Sequence, residues 1–194
     1  MATASSLMTT EELLAIPEDG TDRWLIAGEL RERPMTVRER PMTVRNRFHS
    51  RTMARVTRFL DSWLDDQPEP RGQVLVGEAG VILGHDPDTT VGIDVTYISA
   101  EVMVRQTEES TLVDGIPTLV VEILSPRDTI EDINEKINAY LAARVSIIWI
   151  IDPYRRTITV HQPDGEPKLL NIRDELSAEP HLPGFRVPVA QLFQ

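Results

Sequence analysis

The sequence predicts an α/β domain built on a mixed central sheet with flanking helices. Two continuous apolar runs, 118–124 (TLVVEIL) and 146–151 (SIIWII), are short and β-branched and read as buried strands. Between them Asp128-Thr129-Ile130-Glu131 is a capping box that starts a helix. Strand, helix and strand then form a right-handed crossover with parallel pairing. Alternating segments around turns elsewhere add antiparallel partners, which makes the sheet mixed.

At 194 residues and 41% hydrophobic content, the chain suits one domain with a sizeable core. It has no cysteine, which excludes disulfides and thiolate metal sites. No apolar stretch is long enough to span a bilayer, and residues 1–10 have neither the basic start nor the apolar segment of a signal peptide, so a soluble, cytoplasmic protein is expected. The net charge of −11 argues against a non-specific nucleic-acid coat. That average hides a basic stretch: residues 31–58 hold nine arginines against Glu32 and Glu39.

Taken in order, residues 1–8 are expected to be disordered. A Thr9/Glu12 capping box opens a short helix that Pro17 closes. Residues 24–30 (WLIAGEL) read as a strand with a turn or bulge at Gly28. The heptad ERPMTVR at 32–38 is repeated unchanged at 39–45, a tandem copy too short for a solenoid and expected to form an enlarged, mobile loop. From 46 to 65 a helix places Met53, Val56, Leu60, Trp63 and Leu64 on one face, and Arg47, Arg51, Arg55 and Arg58 along another. Strands follow at 73–83 and 92–98, paired as a hairpin through the turn at 85–88. The helix after Asp128 turns Ile130, Ile133, Ile137, Tyr140 and Leu141 inward. Residues 157–160 return as a hairpin on 146–151. The proline-rich end is expected to be irregular, with one short strand near 185–187.

Glu122 lies in the middle of the most apolar run, where a lone ionised carboxylate is costly and calls for a cation, a base or a proton. On a strand it shares a face with Val120 and Leu124 and so points into packing. If 92–98 lies beside it, Asp94 supplies a second carboxylate, and the two can hold a hard divalent cation such as Mg2+. Of only two lysines, Lys136 and Lys168, the former lies at the edge of the buried stripe of the crossover helix, from where its arm can reach the sheet. An ammonium there suits developing phosphate charge.

The segment LVVEILSPRDTIEDINEKINAYLAARVSIIWIIDPYRRTITVH, with the preceding GIDVTYIS, LIAGEL and His49, resembles the Uma-type restriction endonuclease family of the PD-(D/E)XK nuclease superfamily. The resemblance spans 9–193, with the duplicated heptad as an insertion. It implies a restriction-endonuclease-like core in one domain over 1–194, and a Mg2+- or Mn2+-dependent endonuclease acting on DNA. Asp94 then matches the first acid, with Ile93 where the family has proline. Glu122 matches the second and, with Asp94 and the Ile123 carbonyl, would hold the metal. Leu124 occupies the usual lysine position, which makes Lys136 the replacement. Glu29, Glu78 and His49 fall at positions that can extend the site, and Arg47, Arg51, Arg55 and Arg58 would contact DNA phosphates. Cutting both strands of a duplex suggests a homodimer.

Each feature also has a plainer explanation. A strand glutamate is ordinarily salt-bridged, Lys136 can pair with Asp132 or Glu135, the arginine stripe can be a solvated face, and His49 is more often a capping or surface residue than a base. The acidic body and the displaced lysine leave open a catalytically inactive relative that serves as a DNA-binding or protein-interaction module.

Overall fold

In a computed structural model, the chain is described at residues 7–33 and 46–194. Helix α1 (Thr10–Leu14) is capped by Thr9 and Glu12 as expected, the Glu12 N–H donating to Thr9 and the Thr9 N–H to Glu12. Of the segment 1–8, Met8 donates its N–H to the Gly28 carbonyl at 2.8 Å, and residues 1–6 lie outside the described residues. Strands β1 (Asp22–Ile26) and β2 (Glu29–Arg33) form a hairpin where one interrupted strand was expected. The reversal needs left-handed backbone at Ala27 (φ 50°) and Gly28 (φ 74°). A side chain at Gly28 would also meet Leu7 at 2.8 Å. Glu32 and Arg33 finish β2, whereas the rest of the duplicated heptads, 34–45, lies outside the described residues.

Helix α2 (Arg47–Asp65) starts at Asn46, whose side chain accepts the Phe48 N–H. Its fully buried residues are His49, Thr52, Val56 and Leu60, while Met53 and Trp63 pack at the margin. The buried stripe is therefore rotated from the expected one and includes His49. Strands β3 (Gln73–Gly84) and β4 (Thr89–Ile98) form the expected antiparallel hairpin, with a register shift between Val76 and Ala79. A short helix α3 (Ala100–Met103) and strand β5 (Val113–Asp114) follow, and β5 pairs in parallel with β3. Strand β6 (Leu119–Ile123), helix α4 (Ile130–Ala142) and strand β7 (Ile147–Asp152) make the predicted parallel crossover. Ile130 is the exception on α4, at 73% exposed.

Strand β8 (Thr157–His161) returns antiparallel to β7, and β9 (Lys168–Asn171) pairs with β8. The chain end is more regular than its prolines suggested, since β10 (Glu175–Ser177) and β11 (Arg186–Pro188) pair ahead of a 3-10 helix at Val189–Phe193. The prolines stand between or at the ends of these strands, where no ladder hydrogen bond is lost. Among the described residues the main sheet has nine strands, and its path runs β2-β1-β4-β6-β7-β8-β9.

The sheet is covered on both faces. Val121, Trp149 and Ile158 pack with Val56 and Leu60 of α2 and Phe185 near the chain end, and Val120 and Ile148 pack with Ile137 and Tyr140 of α4. Alternation along β6 therefore sends Val121 and Ile123 toward α2, and Val120 and Glu122 toward α4. No described helix is long and apolar enough to cross a membrane.

Candidate active site

Strands β4 and β6 are hydrogen-bonded neighbours, as the carboxylate pairing required. Their ladder runs from Tyr97↔Leu119 to Val95↔Val121, and one step further in that register sets Asp94 against Glu122. At that step a side chain replaces the backbone bond, because the Ile123 N–H donates to Asp94 Oδ2 at 2.8 Å. Asp94 is buried, and His49 Nε2 reaches the same oxygen at 3.1 Å from the first turns of α2. A carboxylate only accepts, so the bond requires the proton on Nε2. His49 is thus neither a cap nor a surface residue; it orients the first carboxylate. Its spacing of seven from Val56 and eleven from Leu60 put it on their stripe and was the signal to find it.

Helix α4 approaches Glu122 from the other face of the sheet. Lys136 Nζ donates to Glu122 Oε1 at 3.0 Å and to the Gly92 carbonyl at 3.2 Å, and the Tyr140 hydroxyl donates to the same Oε1 at 2.5 Å. Lys136 and Tyr140 are four residues apart, so both meet one acceptor across a single helical turn. Sequence reasoning counted Tyr140 only as core. Both of these bonds fall on Oε1, which leaves Oε2 for another partner among the described residues.

Burial raises the Glu122 carboxyl to about 7, with Asp94 adding to the rise while Lys136 and Tyr140 oppose it. Burial works against the Lys136 charge, yet the Glu122 carboxylate, helped by Glu78 and Asp94, more than offsets it and the amine stays above its usual range. Burial also drives the Tyr140 phenol up, with the neighbouring Glu122 charge acting the same way, so it remains a donor. Because the folded chain holds the Glu122 proton more tightly than the unfolded one, this group works against folding as pH rises from about 4.5 to about 7. Glu122→Gln should therefore flatten the decline of metal-free stability over that interval. Urea titrations at pH 5 and pH 8 check this, and an equal decline in both proteins would refute it.

Asp94, Glu122, His49 and Lys136 line one cavity of about 570 Å³ that also includes Glu78, Gly92, Ile123, Leu124, Asp128 and Arg33. Glu78 reaches it from the irregularity in β3, where its backbone is left-handed (φ 61°), and its Oε2 would lie 3.0 Å from a Cβ at Gly92. Glycine at 92 thus makes room for a third carboxylate. Asp128 closes the β6–α4 turn by accepting the Ser125 N–H at 2.6 Å and pairing with Arg33 at 3.1 Å. Leu124, two residues past Glu122 on the same strand face, also lines the cavity.

A family model described as "Putative restriction endonuclease", Uma2, matches residues 10–190. The chain belongs to that family. In this Uma2 chain Glu122 on β6 and Lys136 on α4 are joined by an ion pair. Its fold is similar to the crystal structure of a protein from Anabaena variabilis described as a "putative nuclease belonging to DUF820". The TM-score is 0.76 with 19% identity, covering 96% of this chain and 97% of that one. None of the curated proteins compared with it matches.

Glu29 and Arg55 of this Uma2 chain have partners away from the cavity. Glu29 lies outside the cavity, exposed on the β2 edge and paired with Arg31 at 2.9 Å, because the β1–β2 hairpin turns it away from β6. The arginine stripe also divides. Arg47, Arg51 and Arg58 are exposed, whereas Arg55 donates from Nε to the Gln194 carbonyl at 3.0 Å and ties down the chain end.

Proposed function

We propose that the protein is a metal-dependent endonuclease hydrolysing DNA phosphodiester bonds. The observation that carries the reading is the meeting, at one cavity, of two carboxylates from adjacent strands with an ammonium 3.0 Å from the second. The donor set fits a hard cation, since it offers carboxylate oxygens and a backbone carbonyl. The Glu122 carboxyl fits as well, because the repulsion from Asp94 that helps to raise it would be relieved by a cation between them. Asp94, Glu122 and the Ile123 carbonyl would hold Mg2+ or Mn2+, with Glu78 close enough to add charge. Bound there, the ion supplies a polarised phosphate oxygen and a more acidic water.

The remaining steps belong to the chain. His49 and the Ile123 N–H fix the Asp94 carboxylate, Tyr140 fixes that of Glu122, and Lys136 places positive charge where the phosphate becomes more negative. Exposed Arg47, Arg51 and Arg58 meet backbone phosphates. A homodimer would deliver the two cuts of a duplex, and light scattering tests that element separately.

Metal affinity should fall as pH drops through about 7, since the ion must displace the Glu122 proton. Calorimetric titration with Mn2+ at pH 6 and pH 8 in two buffers should find tighter binding at pH 8 and proton release at pH 6. Binding independent of pH would remove Glu122 from the ion.

The second reading is a non-catalytic DNA-binding module. It is favoured by the direct Lys136–Glu122 pair, and by there being no group of three His, Asp or Glu with metal-holding geometry among the described residues. Supercoiled and linear DNA incubated with Mg2+ or Mn2+ separate the two. Cleavage lost in Glu122→Gln supports the enzyme, equal cleavage in both proteins refutes the site, and binding without cleavage in either favours the module.

A further inference from the structure

The turn between β7 and β8 (152–156) stands at the end of the parallel strands where Glu122 lies, because the Leu124 N–H donates to the Ile151 carbonyl at 2.8 Å. Asp152 stiffens this turn by accepting the N–H groups of Tyr154 and Arg155 at 2.9 and 2.8 Å. The turn therefore presents Tyr154, Arg155 and Arg156 outward in a fixed order, all three exposed. Arg155 is 85% exposed at its side chain and only 3.9 Å from the Asp152 carboxylate.

The Tyr154 ring meets Phe48 of α2 edge to face, with centroids 5.6 Å apart. Phe48 in turn carries two guanidinium groups, Arg47 at 4.6 Å and Arg51 at 5.6 Å from its centroid. Among the described residues none of Arg47, Arg51 and Arg156 has a carboxylate partner. Two elements far apart in sequence thus join one aromatic pair, with two guanidinium groups stacked on Phe48 and Arg155 and Arg156 following Tyr154 on the same exposed turn. They do so next to the residue that follows Phe48, His49, which touches Asp94.

We infer that this Arg-aromatic platform is a clamp for nucleic-acid backbone phosphates beside the cavity, with the β7–β8 turn as its second jaw. The inference rests on the DNA reading above and deepens it, adding Phe48, Tyr154, Arg155 and Arg156 to the substrate surface. Charge complementarity carries it: the chain as a whole is at −11, so a polyanion finds its attractive approach where basic groups outnumber acids, as Arg47, Arg51, Arg155 and Arg156 outnumber Asp152 here. The rings add preorganisation, since a guanidinium already stacked on Phe48 loses less freedom when it meets a phosphate.

The test reads binding without turnover, by fluorescence anisotropy of a labelled duplex in EDTA, in the Glu122→Gln background. Titration across salt concentrations gives the slope of log affinity against log salt, about 0.9 per phosphate neutralised. Arg155→Gln/Arg156→Gln should make that slope shallower by about 1.8 and weaken binding at least tenfold at low salt. Phe48→Leu, which keeps an apolar side chain but removes the platform, should weaken binding several-fold with unchanged circular dichroism. Arg144→Gln, ahead of the opposite end of β7, should change neither quantity. A slope unaltered by the double substitution overturns the clamp while leaving DNA binding intact. No binding by the parent protein at low salt overturns the clamp together with the DNA reading.

Discussion

Lys136→Met is expected to slow metal-dependent DNA cleavage by about 10²–10³-fold, the cost of losing one group that stabilises developing charge in a water-poor site. Methionine keeps the length and apolar body of the lysine arm, so the packing of α4 on β6 should survive. The measurement belongs at saturating metal and above pH 8, because loss of the ammonium also lets the Glu122 carboxyl rise further from its value of about 7. The same substitution allows a relocation experiment. Leu124 lies two residues past Glu122 on one strand face and lines the same cavity, so Leu124→Lys in the Lys136→Met background should recover activity at least tenfold. Wild-type cleavage by Lys136→Met alone would show that the ion pair is structural.

Trp149→Ala is expected to be the most damaging single change to the fold. Trp149 is fully buried on β7, opposite Val121 on one side and Val160 on the other, and its ring lies 5.5 Å from that of Phe185. Removing an indole from such a place costs about 3–5 kcal/mol, through lost transfer free energy and the cavity left behind. At about 2–4 °C per kcal/mol for a chain of this size, the melting temperature should drop by roughly 10 °C. Thermal denaturation followed by circular dichroism checks this, with Tyr154→Ala at an exposed turn as the comparison. A shift of under about 2 °C would mean that the two faces of the sheet do not share the load as described.

Much of the architecture was legible because local rules and tertiary packing agree. The capping box at Thr9, the apolar runs of β6 and β7 and the periodicity of α4 each specify one element. The β1–β2 hairpin was harder to see, since its reversal depends on a non-glycine residue, Ala27, taking a left-handed backbone that composition does not advertise. The strand expected near 185–187 is β11, whereas β9 and β10 were hidden by prolines that fall between strands, where they break no ladder.

By itself the sequence determined the mixed α/β sheet, the crossover around α4 and the candidacy of Asp94, Glu122 and Lys136, because burial of apolar runs and the conflict of a carboxylate within one are local properties. Only the tertiary structure decided that His49 and Tyr140 hold those carboxylates, that Glu78 joins them over Gly92, and that Glu29 does not. These are contacts between elements, and they depend on how far each helix rotates about its axis and where a strand ladder splits. Such quantities are set by the packing of the whole chain rather than by any window of it.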